Sequence, residues 1–233
     1  MQYKNPYIEL CLEGSSSLFK GLNQNDKEAI DQNHQLLIYK KGDLILSEGD
    51  KLRGLACLAS GKVKIYKFGI GGREQILKMV RQQGFICHWS LFTDHPSFFF
   101  AMALEDSAVV IFEKNCMIKV LKRNPDLVLR FMKVMADELI FTNNRIVSLT
   151  QKHIRGRIAE SLLILRETYG LEADGKTIRV LLSREDIAHF SNMTTSNAIR
   201  TLSNMASEKV IGIEGRRIMI LNSTRLEQIS ELG

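Results

Sequence analysis

Two stretches of this sequence gather side chains able to do chemistry. In GFICHWSLF, Gly84 to Phe92, a thiol, an imidazole and the chain's single tryptophan stand side by side as Cys87, His88 and Trp89. Cysteine and histidine are ligands for a metal or a haem iron, and an indole stacks on a flat ligand. Three bulky residues in a row also fill space. Adjacent residues do not easily reach one iron from opposite sides, and His95 is the nearby candidate for a second ligand, so haem remains an alternative with no fixed ligand pair. No metal is expected. Just downstream, HPSFFFAM supplies Phe98, Phe99 and Phe100, a greasy wall that suits an apolar or aromatic small molecule. A filled pocket with no effector fits the same residues.

The second stretch is LSREDIAHFSNMTTSNAIRTLSNM. Ser183 suits a helix cap, with Glu185 and Asp186 in a first turn, and Ile187, Ala188 and Phe190 form one apolar face. SNM reads as a tight turn. Thr194 then caps a second helix whose buried face is expected to be Ala198, Ile199, Leu202 and Met205. Two short helices joined by a three-residue turn are the plan of a helix-turn-helix, whose second helix enters the DNA major groove. Its outward residues are Thr195, Ser196, Asn197 and Arg200. Arginine makes bidentate contacts to guanine and asparagine to adenine. IGIEGRRIMI follows and predicts a strand, a turn at Glu214-Gly215 and a returning strand. That is a wing, with Arg216 and Arg217 at its tip facing phosphate.

Other elements must position these residues. From about His34 to Glu113 the chain reads as short strands separated by glycine turns at Gly42, Gly49 and Gly69 to Gly72, with Val63, Ile65 and Tyr66 alternating with lysines. Regular spacing of such strands suggests a barrel or jelly roll. RNPDLVLR then opens a long helix, with Asn124 placed to cap it and Pro125 at its first position. Along it Val128, Met132, Met135, Leu139, Thr142, Ile146 and Leu149 recur in steps of four and three, a heptad seam that predicts a parallel homodimer. Leu127, Phe131, Val134 and Phe141 form a second apolar strip beside the seam, suited to the sheet domain. HIRGRIAESLLILRETYG is a further helix ending at Gly170.

Composition sets wider bounds. The chain has 233 residues, 45% of them hydrophobic, with a net charge of +6. That excess permits nucleic-acid binding but is shared between the two halves, so a motif has to locate it. No apolar run is long enough to span a bilayer, and the first residues lack a signal peptide's basic start and apolar core. The expected location is the cytoplasm, with no membrane partner. Cys11, Cys57, Cys87 and Cys116 are scattered without a C-x-x-C pair, as for free thiols in a reducing compartment. There is no P-loop, G-x-S-x-G, H-E-x-x-H or paired Cys/His spacing, so no enzyme is expected. A ligand-binding module that acts only through protein contacts would not need TTSNAIR or EGRR.

Together GDLILSEGD, LASGKVKIYK, NPDLVLRFMKVMADEL, GRIAESLL, LSREDIA and the winged helix-turn-helix make the chain similar to the Crp/Fnr family of bacterial transcription regulators over nearly its whole length. The resemblance implies an α+β fold in three parts. A cyclic-nucleotide-binding-like β-roll, or jelly roll, spans 1–123, a dimerisation helix 124–150, and a winged helix-turn-helix 151–233. It also implies a homodimer on double-stranded DNA, an effector in the roll, and RNA polymerase as a partner if the protein activates. A two-fold dimer must present its recognition helices about one DNA turn, ~34–36 Å, apart.

Position by position, the resemblance makes Ser183, Arg184, Thr194 and Asn197 phosphate contacts. Thr195 and Ser196 stand where cyclic-AMP-responsive members carry a base-reading arginine and glutamate. Arg200 matches a further base-reading arginine, and Arg216 a basic wing position. In the effector cassette His88 replaces the glutamate that holds the ribose, and Phe98 and Phe99 replace the Arg-Ser pair that holds the phosphate. Thr142 matches a threonine that reaches the base. Burying a cyclic phosphate without a cation or several N–H donors is costly. The effector pocket, with Cys87, His88, Trp89, Phe98, Phe99 and Thr142, is therefore expected to take an unidentified effector other than cyclic AMP.

Overall fold

The computed structural model describes residues 5–51 and 53–232. Two compact units form, one from residues up to Lys67 with Lys78–Ile140, the other from Phe68–Leu77 with residues from Phe141 onward.

The first unit begins with helices α1 (Pro6–Glu13) and α2 (Gln24–Gln32), capped by the side chains of Asn5 and Asn23. Strands follow as β1 (His34–Tyr39), β2 (Leu44–Leu46), β3 (Gly54–Ser60), β4 (Val63–Phe68), β5 (Glu74–Val80), β6 (Phe100–Ala103) and β7 (Ser107–Glu113). They form two sheets in the orders β1-β7-β3 and β2-β6-β4-β5. In the first sheet β7 is the central strand, antiparallel to both neighbours, with Leu36 opposite Val110 and Cys57 opposite the same residue. β3 and most of β7 are buried on both faces, so they read as continuous apolar runs rather than alternating ones. β4 departs from the expected alternation, because Lys64 is only 7% exposed and lays its ammonium 5.1 Å from the centre of the Tyr66 ring. The aromatic face supplies what solvent would otherwise give the cation.

Two apolar clusters hold this unit. One surrounds Phe19, whose ring meets Phe112, Phe85 and Phe131 edge-on, with centroids 5.3 to 6.2 Å apart. The other contains Leu58, Ile65, Val80, Ile86, Cys87, Phe99 and Val109, with Trp89 packed on its margin. All four cysteines are buried free thiols.

Helix α3 (Lys114–Arg123) leads into α4 (Pro125–Gln151), which runs unbroken from the first unit into the second. Asn124 opens α4 as expected, its carbonyl accepting from the Leu127 and Val128 amides, but its side chain turns away from the helix. Its amide nitrogen donates instead to Asp26 and to the Val120 carbonyl, closing α3 and holding a buried carboxylate. Burial alone would raise the Asp26 pKa, but these hydrogen bonds from Asn124 and Arg123 and the charge of Arg123 bring it below the usual value. Of the second apolar strip, Leu127 and Phe131 are fully buried in the first unit's core, whereas Val134 and Phe141 are only half-buried.

The second unit contains α5 (Ile154–Tyr169), α6 (Arg184–Phe190), α7 (Thr195–Ser207), β8 (Ile211–Glu214), β9 (Arg217–Ile220) and α8 (Ser223–Leu232). α5 stops at Gly170, which takes a positive φ of 74° that a side chain would strain. Ile158, Leu162, Ile187, Phe190, Leu202, Met205 and Leu226 are buried in it. No helix among the described residues is long and apolar enough to cross a membrane.

Candidate functional site

The geometry at α6 and α7 follows from local hydrogen bonding. Ser183 and Asp186 form a reciprocal capping box at the start of α6. Ser191–Met193 is the turn, with Asn192 at a φ of 51°, a conformation its short polar side chain tolerates. Thr194 then accepts a hydrogen bond from the Asn197 amide and caps α7.

The outward face of α7 carries Ser196, Ile199 and Arg200, with Thr195 and Asn197 half-buried beside them. Asn197 Oδ1 accepts a 2.8 Å hydrogen bond from Arg200, so the guanidinium is aimed by its neighbour one turn back. Ile199 is not part of the buried face as expected but 47% exposed next to Arg200. The buried face is Ala198, Leu202 and Met205, a narrower stripe than the apolar residues alone suggested.

β8 and β9 pair in an antiparallel hairpin with Ile213 opposite Ile218 and Glu214 opposite Arg217. The turn is therefore Gly215-Arg216, one residue later than the sequence suggested, with Gly215 at a φ of 56°. Arg216 and Arg217 are both exposed, Arg216 at the tip and Arg217 starting β9. Arg184 donates to the Gly215 carbonyl at 2.7 Å, tying α6 to this turn.

The helix pair is braced from behind. Arg145, on α4 and 5% exposed, stacks its guanidinium 4.7 Å from the Phe190 ring and donates to the Phe190 carbonyl at 2.5 Å. Arg157 donates to the Asn192 carbonyl at 2.7 Å. The segment Phe68–Leu77 grips the same turn. Gln75 donates to the His189 carbonyl at 2.8 Å, Arg73 bonds the Asn192 side chain, and Glu74 lies 3.5 Å from the His189 ring. Nothing local in the sequence marks Arg145, Gln75 or Arg73 as partners of α6. The Arg145→Ala variant is expected to lower the stability of this unit by roughly 2 kcal/mol, since a desolvated cation–π contact and a charged hydrogen bond disappear together. Thermal or denaturant unfolding of the purified variant checks it, and a loss below a few tenths would be too small for the role assigned.

At the cassette, the 3₁₀ turn His88–Leu91 sends its residues in different directions. Cys87 is 1% exposed, and burial pushes its thiol up to about 12, leaving little thiolate for a metal. His88 is 3% exposed with Nε2 3.0 Å from Glu138 of α4. The other carboxylate oxygen of Glu138 takes Lys78 of β5. Burial, aided by the Lys78 charge, holds the His88 imidazole down to about 4, and burial draws Lys78 to about 8. Lys78 thus satisfies the carboxylate charge, while a neutral His88 donates its Nε2–H. These residues do not fit haem. Cys87 is a buried thiol and His88 is taken by Glu138, so neither presents a free ligand to an iron. Trp89 instead packs on Phe98 and Phe99, with centroids 5.4 and 6.1 Å away. Phe100 stacks on Tyr66 elsewhere. Thr142 is exposed on α4.

A two-sheet β-roll with a long helix and a C-terminal winged helix-turn-helix define a DNA-binding regulator. Residues 36–124 match the cyclic nucleotide-binding domain, and residues 156–229 match the Crp-like helix-turn-helix domain. The chain belongs to the Crp/Fnr family of transcription regulators. It is similar to the CRP-like cAMP-activated global transcriptional regulator of Mycobacterium tuberculosis, at 25% identity covering 91% of this chain and 95% of that protein. The anaerobic regulatory protein of Bacillus subtilis is 28% identical, covering 78% of each chain. The fold is shared with FixK2 from Bradyrhizobium japonicum at a TM-score of 0.75 and 23% identity, covering 84% of this chain and 96% of that one.

Proposed function

We propose that this DNA-binding transcription regulator works as a homodimer, reading DNA through the start of α7 and gripping phosphate with the β8–β9 wing. The carrying observation is the exposed Arg200 braced by Asn197, beside exposed Ser196 and Ile199. Arg200 suits the acceptor edge of guanine, and Ile199 adds an apolar surface for a thymine methyl. Thr195 and Asn197 flank them. Ser183 and Thr194 lie at helix starts, where backbone N–H groups and the helix dipole favour phosphate. Arg184 has already lent one nitrogen to Gly215, so its part is to set the wing against α6 as much as to meet phosphate.

The homodimer reading rests on α4. Met132, Leu139 and Ile146 of the heptad seam are 55%, 63% and 57% exposed, and Leu129, Ile140 and Val147 flank them. Thr142 is exposed on the same seam, with Val128, Met135 and Leu149 half-buried. A second copy of the same helix covers such a stripe with matching spacing.

An effector other than cyclic AMP fits the β-roll best, although the mycobacterial relative is cAMP-activated. Lys78 is a cation near His88, but Glu138 already neutralises it, and an incoming phosphate would meet that carboxylate. Cyclic AMP is expected to leave the melting temperature unchanged, whereas a rise of several degrees would reverse this reading.

DNA reading is tested by selecting the bound sequence and then measuring gel shifts at stated salt. Arg200→Ala is expected to flatten the preference at one symmetric base position, costing roughly 1–3 kcal/mol there. Arg216→Ala should weaken all sequences alike and reduce the salt slope by about one. No selected sequence, or equal effects of both variants at every position, would overturn the assignment.

A further inference from the structure

The outer side of the cassette opens into a cavity of about 650 Å³. Trp89, Phe98 and Pro96 give it apolar walls, and Glu48, Thr93 and His95 stand at its edge. This size and a mainly apolar lining with few polar groups are those of a small-molecule site.

The walls are tied together before any ligand arrives. The Gly49 amide donates to the Ser97 carbonyl at 2.7 Å, and the Ser97 amide returns a 2.9 Å bond to the Asp50 carbonyl. Ser97, 2% exposed, donates its hydroxyl to the Phe99 carbonyl at 2.7 Å. Lys114 holds the other end of the loop through Asp94 and the Thr93 carbonyl. A rigid wall saves the ordering entropy that weakens ligand binding to mobile loops.

Within that frame Phe98 is anomalous. Its neighbours Ser97 and Phe99 are buried, yet its own ring is 52% exposed, lying 5.4 Å from Trp89 with planes only 33° apart. The indole N–H of Trp89 donates to nothing among the described residues. An aromatic shelf with an unused donor sits over a cavity bordered by a carboxylate. Among the described residues Glu48 pairs with Lys67, at 3.0 Å and with both side chains 43% exposed, a pairing weak enough for a ligand to displace.

We propose that this cavity binds a planar aromatic molecule, neutral or cationic and without a phosphate, which stacks on Phe98 and Trp89 and turns a donor toward Glu48. As the effector of the regulator proposed above the inference rests on that reading, but ligand binding itself does not.

The single tryptophan makes the test direct, because its indole N–H gives one nitrogen-correlated NMR signal that reports on this cavity alone. Benzamide, benzamidine and benzoate share one ring and differ in charge. Benzamide and benzamidine are expected to move the signal saturably at concentrations up to about 10 mM, the range in which ring-sized ligands register. Benzoate should bind roughly tenfold more weakly, and Phe98→Ala should weaken benzamidine by roughly tenfold, the scale of one lost aromatic contact. Ile38→Ala, which truncates another exposed apolar residue, should change nothing. No saturable movement with any of the three, undiminished binding to the Phe98→Ala variant, or benzoate binding as tightly as benzamidine would overturn the proposal. Gel shifts without any added aromatic test the DNA-binding reading separately, so the two fail independently.

Discussion

A Leu139→Lys variant is expected to sediment as a monomer and to lose roughly 10²–10⁴-fold in affinity for its operator, the gain normally supplied by linking two half-site contacts. Leu139 is 63% exposed at the middle of the heptad seam, where a charge facing its own copy across a two-fold axis repels and must also be desolvated. The residue does not support the first unit's core, which takes Leu127 and Phe131 from the same helix. The variant should therefore still fold and unfold cooperatively, with a melting temperature lowered only by the stabilisation that association supplied and no longer dependent on protein concentration. Analytical ultracentrifugation and gel shifts on one protein preparation check both parts. A variant that stays dimeric would place the interface elsewhere, and a monomer with full operator affinity would remove the need for one.

The second large effect concerns Glu138. Its carboxylate accepts from both Lys78 and His88, so Glu138→Ala strands a cation and an imidazole N–H together. Removing one partner of a buried ion pair costs about 3–5 kcal/mol. Glu138 and Lys78 are each 32% exposed, so solvent screening reduces the expected loss to roughly 2–3 kcal/mol. Replacing the pair together, as Lys78→Met with Glu138→Leu, should recover most of that loss, because no charge is left unpaired. Denaturant unfolding of the single and double variants measures it, and a double variant no better than Glu138→Ala would refute the pairing.

The same cluster makes stability depend on pH. The His88 imidazole is held down to about 4 in the folded chain against 6.5 in the open one. Between those values the unfolded chain binds a proton that the folded chain excludes. The His88 contribution to stability is thus fully present above about 6.5, falls as pH drops toward 4, and levels off below, a loss of up to about 3 kcal/mol. In a His88→Gln variant this part of the slope should vanish, which unfolding curves across the window will show.

The α+β architecture was legible in the sequence because glycine punctuation, apolar periodicity and caps are local properties. The Ser183 and Thr194 caps, the stop at Gly170 and the burial of Leu127 and Phe131 all follow from residues within a few positions of one another. Where the local pattern misleads, the missing information is distant. Ile199 is apolar and borders the buried stripe of α7, and only the packing partner decides that it is exposed. At Asn124 the side-chain nitrogen is drawn to Asp26, far away in sequence, and the orientation this sets is not the capping one that the local pattern suggests.

Of the candidate site, the sequence by itself determined the two capped helices and pointed to Ser196 and Arg200 as outward at the start of α7, while packing left Thr195 and Asn197 half-buried and turned Ile199 out. Tertiary structure alone decided that Glu138 on α4 neutralises Lys78 and accepts from His88, that Arg145 stacks on Phe190, and that Cys87, His88 and Thr142 part from the cavity that Trp89 and Phe98 line. Helical and strand periods state which face a residue occupies. They do not state what stands opposite, because contacts between distant segments are set by how sheets and helices pack, and that information is spread over the whole chain.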